Sequence, residues 1–167
     1  MKRHFNIILC MVAVVLLGTS CVFRLNNERG SGGTGHTRYA NEFVLSESSA
    51  QCWGYYYSDK ALNYTLKLSS GRYGASGDFV GEGVELVLDL LGKPSDKRLI
   101  SSGNYLVTHD NFSPMFVLDG YEEDGQVYPS YFYIKYRNGN ATLETIQSGN
   151  VRISYSGSEM VLEASVY

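Results

Sequence analysis

From Tyr39 onward, apolar and polar residues alternate along most of the chain. "LNYTLKLS" places Leu62, Tyr64, Leu66 and Leu68 against Asn63, Thr65 and Lys67. "VELVLDLL" places Val84, Leu86, Leu88 and Leu90 on one side, with Val87 and Leu91 adding apolar character to the other. "NYLVTH", "MFVLDG", "VYPSYFYIKYRNG", "ATLETIQSG", "NVRISYSG" and "EMVLEASVY" follow the same rhythm. A period of two, bounded by Gly, Asn, Asp and Ser, predicts strands. Hairpin turns are predicted at Asn138-Gly139, at Asp124-Gly125 and between Ser156 and Glu159. "GEGVELVLDLLG" is the one helix candidate, and its strict alternation favours a strand. About 129 residues with eight to ten short antiparallel strands predict an all-β sandwich or barrel. Leu62, Tyr64, Leu66, Leu68, Leu86, Leu88 and Leu90 should face one shared core.

The start of the chain follows another pattern. Lys2 and Arg3 precede an apolar run from Phe5 to Leu17, broken by Asn6, and small residues then lead to Cys21. This is the layout of an export signal, with an apolar core shorter than the roughly 20 residues that span a bilayer. A signal helix over residues 1–20 is expected to be removed. "LLGTSC" resembles the lipobox of bacterial lipoproteins, although Leu17 stands one place further from the Cys than is usual. That resemblance implies that Cys21 carries the lipid and palmitate label. Cys10 leaves with the signal and Cys52 then stands alone. The rival to acylation is a Cys21–Cys52 bridge.

Residues 26–38, "NNERGSGGTGHTR", are polar and glycine-rich. Gly30, Gly35 and Thr37 echo a phosphate-binding loop, but His36 stands where its Lys belongs, and no helix pattern follows. A flexible tether over residues 21–38 is expected, with no nucleotide site. Without Lys2 and Arg3 the chain has twelve Lys and Arg against seventeen Asp and Glu, a charge of −5. Nothing in that balance suggests nucleic acid or electrostatic attraction to anionic lipid.

Fourteen Tyr, seven Phe and one Trp are the chain's main resource for recognition. In "CWGYYYS", Trp53, Tyr55 and Tyr57 would share one face of a strand. The expectation is that they belong to the core; the functional alternative is a platform on which sugar rings stack. A second aromatic run, Tyr128, Tyr131, Phe132 and Tyr133, carries the same two readings. "DGYEEDG", Asp119 to Gly125, gathers carboxylates without the spacing of a calcium loop, and reads as a solvated hairpin tip. His109, Asp110 and Ser113 lie too close in sequence for a catalytic triad and read as a turn. His109 is the only His after the tether, which excludes a multi-histidine metal site. No cofactor, metal or catalytic residue is expected, and the chain does not read as an enzyme.

The order of motifs resembles a β-domain of uncharacterised outer-membrane lipoproteins of Bacteroidetes. The matching stretches are Gly54 to Tyr57, Asn63 to Ser69, Leu86 to Leu90, Gly103 to Val107, Phe112 to Pro114, and Ile146 to Ile153. The resemblance implies an outer-membrane lipid anchor and carries over no functional residue. It departs at Ile100 to Ser102, and the family pattern runs on past Tyr167, which implies a free edge at the last strand. The residues after Cys21, "VFRLNN", lack the acidic cluster that often marks surface export, which favours a periplasm-facing domain slightly and leaves a surface-facing one open. The leading expectation is an envelope lipoprotein that binds, with glycan capture as its most concrete form. The alternatives are a lipocalin-like small-molecule carrier, or an envelope structural or adhesin component that pairs through a sheet edge.

Overall fold

The computed structural model describes residues 21–26, 40–75, 79–95, 99–157 and 159–167. The expected signal, residues 1–20, lies outside them, as do residues 27–38 of the expected tether. The described part is all-β. Its strands are β1 (Cys21–Asn26), β2 (Ala40–Leu45), β3 (Glu47–Gly54), β4 (Leu62–Ser69), β5 (Arg72–Tyr73), β6 (Phe79–Val80), β7 (Gly83–Gly92) and β8 (Gly103–Thr108). There follow β9 (Phe116–Leu118), β10 (Tyr121–Glu123), β11 (Gln126–Tyr128), β12 (Tyr131–Lys135), β13 (Ala141–Thr145), β14 (Gly149–Ser156) and β15 (Glu159–Val166). The count exceeds the expected eight to ten because β5–β6 and β10–β11 are hairpins too short to show alternation and β1 falls where a tether was expected.

The long strands form one mixed sheet that curls into a half-barrel. β7 is its spine. One side of β7 pairs antiparallel with β4 from Leu62↔Gly92 to Ser69↔Glu85. Its other side is shared between β12, at Gly83 to Val87, and β9, at Asp89 to Leu91. Ser130 fills the gap between these two partners. Its Oγ accepts from the Asp89 backbone N–H (2.9 Å) and donates to the Leu118 carbonyl (2.7 Å). β8–β9 and β1–β15 are parallel pairs. β2 and β3 are separated only by Ser46, whose N–H donates to the Ser69 carbonyl, so this corner links the two ends of the pairing path.

The expected core is present. Leu62, Tyr64, Leu66, Leu68, Leu86, Leu88 and Leu90 lie in one buried cluster. Tyr105, Val151, Ile153 and Leu162 join it from the opposing strands, and Ile146 from the link between β13 and β14. Alternation explains why. Directly opposed residues share a face, so Leu66 opposite Leu88 and Tyr64 opposite Leu90 point inward together. β7 is buried on its outer face as well, where Leu91 packs with Ala61 and Leu118. Burial on both faces accounts for its nearly continuous apolar run.

Two expectations and one rival reading are corrected. The reading that begins a tether at Cys21 does not describe Cys21–Asn26, which form β1 between β15 and β2. The reason is backbone pairing: an extended six-residue segment closes ladders that β15 and β2 would otherwise leave open. β15 is accordingly no free edge over Glu163–Val166, because β14 lies on one side and β1 on the other. Cys52 is a free, half-buried thiol, so the Cys21–Cys52 bridge is not formed.

Candidate functional site

The aromatic run at Trp53 to Tyr57 does not continue β3 into the core. β3 slips register between Cys52 and Gly54, and Gly54 takes φ +77°, a conformation that suits only residues without a Cβ penalty. The chain turns there, and Tyr55–Tyr57 form a bend on the outer surface. Trp53 is 46%, Tyr55 55%, Tyr56 70% and Tyr57 41% exposed, which overturns the core expectation for Trp53, Tyr55 and Tyr57. Trp53 is held against β4, its indole Nε1 donating to Thr65 Oγ1 (2.9 Å).

Tyr57 anchors the bend. Its ring lies 5.3 Å from that of Phe112 at 16°, a stacked pair, and Tyr56 meets it edge-on at 4.8 Å and 86°. Ser58 Oγ donates to the Phe112 carbonyl (2.7 Å), tying the bend to the segment after β8. Tyr57 Oη donates to Asp89 Oδ2 (3.0 Å), and Asn63 Nδ2 donates to Asp89 Oδ1. Burial raises the Asp89 carboxyl above its usual range, and the bonds from Asn63 and Tyr57 work against that rise. The Tyr57 phenol is pushed well above its usual value, by burial first and then by the Asp89 charge. On the β10–β11 hairpin, Tyr121 and Tyr128 face each other across the strands with rings stacked at 4.7 Å and 11°.

Three rings from two separate segments therefore gather, Tyr56, Tyr57 and Phe112, and Tyr57 ties them to the buried Asp89 carboxylate, which Asn63 also bonds. The stacked pair of Tyr121 and Tyr128 is a second aromatic feature, on the β10–β11 hairpin. Tyr57 was a candidate from the sequence, and Tyr128 was named in the second aromatic run. Phe112 stood in a turn motif, Tyr121 in an acidic hairpin and Asp89 in an apolar strand, so no local signal marked them.

Tyr131 and Tyr133 lie elsewhere. Phe132 between them enters the core, and both tyrosines are half-buried on the outer face, as alternation requires. Tyr131 Oη donates to Glu85 Oε1 (3.4 Å), and its phenol is pushed up to about 12 by burial and the Glu85 charge. Tyr73 Oη also donates to Glu85, and Lys67 Nζ lies 3.0 Å from the same carboxylate and 4.4 Å from the Tyr73 ring centroid. Tyr133 packs edge-on against Phe79 at 5.9 Å. The β5–β6 hairpin thus covers this patch, and its rings are engaged with one another.

Cys21 is the first residue of β1, with its backbone opposite Leu45. His109 Nδ1 lies 3.0 Å from Asp119 Oδ2 and is exposed, while the Ser113 N–H donates to Asn111 Oδ1 in a turn. Among the described residues no three His, Cys, Asp or Glu side chains converge as a metal site. The acidic stretch forms the exposed β10–β11 tip, with positive φ at Asp124 and Gly125.

Fold and site together define an all-β half-barrel with an aromatic cluster on its convex face. Set against known protein families, curated proteins and solved structures, the chain matches none of them.

Proposed function

We propose that this chain is a lipid-anchored, non-enzymatic protein of the bacterial outer membrane, akin to the lipoprotein β-domains its motifs resemble, and that it captures glycan. The observation that carries the reading is the exposed cluster of Tyr56, Tyr57 and Phe112, anchored to Asp89 through Tyr57. A pyranose ring has an apolar C–H face and a rim of hydroxyls. Exposed aromatic rings stack on the first, and an exposed phenol hydroxyl such as that of Tyr56 bonds to the second. The packed concave face supports a surface site over a lipocalin-like lumen, since Leu66, Leu88, Tyr64 and Tyr105 fill it. "LLGTSC" supports the anchor at Cys21.

The test is binding of the detergent-solubilised protein to a glycan array, with a Tyr56→Ala/Phe112→Ala variant beside it. Capture should fall about tenfold or more in the variant, with thermal unfolding little changed. Equal capture by both proteins, or capture by neither, would count against the reading.

A further inference from the structure

The half-barrel has an open cleft of about 620 Å³ at the end where β7 begins and β12 gives way to its turn. We infer that this cleft is a second saccharide subsite, taking the end of a neutral oligosaccharide. The inference extends the glycan reading to a second place on the molecule and can fail independently of it.

Register builds the cleft. Val84 and Ile134 are directly opposed across β7 and β12, and both belong to or pack on the core, so they form an apolar floor. Ser70 continues that row, its backbone N–H donating to the Val84 carbonyl and its Oγ accepting from the Val84 N–H (2.9 Å each). Above the floor stand Tyr136, 47% exposed, and Asn138 in the Asn-Gly turn. The Gly139 N–H donates to the Tyr136 carbonyl (3.0 Å) and the Asn140 N–H to Asn138 Oδ1 (3.0 Å). Both residues are thereby held on a tight turn. Positive φ at Gly139 (+85°) keeps it tight.

Charge decides the ligand class. Glu82 lines the cleft with Lys135 and Arg137, so both signs of charge are present, and Lys135 Nζ already donates to the Phe79 carbonyl (3.0 Å). An excess of one screened positive charge, on a group that already has a partner, does not define a site for an anion. What remains is an apolar floor, a phenol ring, a hydroxyl, an amide, one acceptor carboxylate and one donor guanidinium. That set matches the C–H face and hydroxyl rim of a neutral sugar, and the volume lies within the range of small-molecule sites.

The experiment is a two-dimensional ¹⁵N NMR titration of the protein with maltotriose, cellotriose and N,N′-diacetylchitobiose, and with a sulfated disaccharide as the anionic probe. Shifts at Ile134, Tyr136 and Asn138 with a neutral probe are expected, weakened about tenfold by Tyr136→Ala and unchanged by Tyr56→Ala. Shifts confined to the Tyr56–Tyr57 bend would overturn this inference and leave the proposed function standing. Shifts confined to the cleft would support this inference and overturn the aromatic cluster as the capture site. A response only to the sulfated probe would overturn the assignment to neutral sugar. No response to any probe would overturn both. Should Tyr136→Ala unfold, Asn138→Ala makes the same test from the exposed tip.

Discussion

Tyr57 and Asp89 are 32 residues apart, yet the Tyr57 hydroxyl donates to the Asp89 carboxylate at 3.0 Å. This bond fastens an exposed aromatic bend to the spine strand of the sheet. Asp89 is 8% exposed, so its partners decide whether its burial is tolerable.

Tyr57→Phe keeps the stack on Phe112 and deletes the hydroxyl. Asp89 would then rely on Asn63 alone. The expected cost is about 1–2 kcal/mol in urea unfolding at neutral pH. A loss smaller than about 0.3 kcal/mol would show that water replaces the phenol without cost.

Asp89 also predicts a pH dependence. Its folded carboxyl titrates above 3.8, the ordinary value, because burial disfavours the charged form. The folded state therefore holds this proton to higher pH than the unfolded chain does. The stability it contributes is fully present below the unfolded pKa and is lost as pH rises through the folded value. Asp89→Asn removes that term, so the variant should gain on the wild type as pH rises from about 3 to 7. Parallel stability curves across that range would refute the assignment.

Burial separates two sets of substitutions. Leu66→Ala and Leu88→Ala, both in the fully buried core, should each cost about 2–5 kcal/mol. Tyr55→Ala and Tyr56→Ala lie on the surface and should stay within about 0.5 kcal/mol. Thermal or urea unfolding of the four variants decides this, and a large loss at Tyr55 or Tyr56 would return them to the core.

Gly120 is sterically fixed. A Cβ there would lie 1.8 Å from the Ser130 carbonyl oxygen, which also accepts from the Ile146 N–H. The obstacle is backbone, so no rotamer change relieves it. Gly120→Ala should lose more than about 3 kcal/mol or fail to fold. Gly125→Ala, with open space at its Cβ but φ +75°, should cost about 1 kcal/mol through backbone strain alone.

The anchor is tested apart from the domain. Cys21→Ala should abolish radiolabelled palmitate incorporation while the glycan array pattern of the purified protein is unchanged. Persistent labelling would place the lipid elsewhere.

Alternation is a local property, and so the inward faces of β4 and β7 were legible in the sequence down to Leu62, Tyr64, Leu66, Leu68, Leu86, Leu88 and Leu90. The same holds for the turns at Asp124-Gly125 and Asn138-Gly139, where positive φ needs particular residue types. The aromatic cluster was not legible. Gly54 ends β3 by a backbone rotation that the run of rings after it conceals, so Tyr55–Tyr57 read as strand when they form a surface bend. Phe112 meets Tyr57 only because the segment between β8 and β9 is brought beside the bend when β9 pairs with β7. Cys21–Asn26 became a strand because β15 and β2 offer backbone partners distant in sequence. A period of two tells which way a side chain points along its own strand; which strands lie beside it, and therefore which rings meet which carboxylate, is settled only by pairing across the whole sheet.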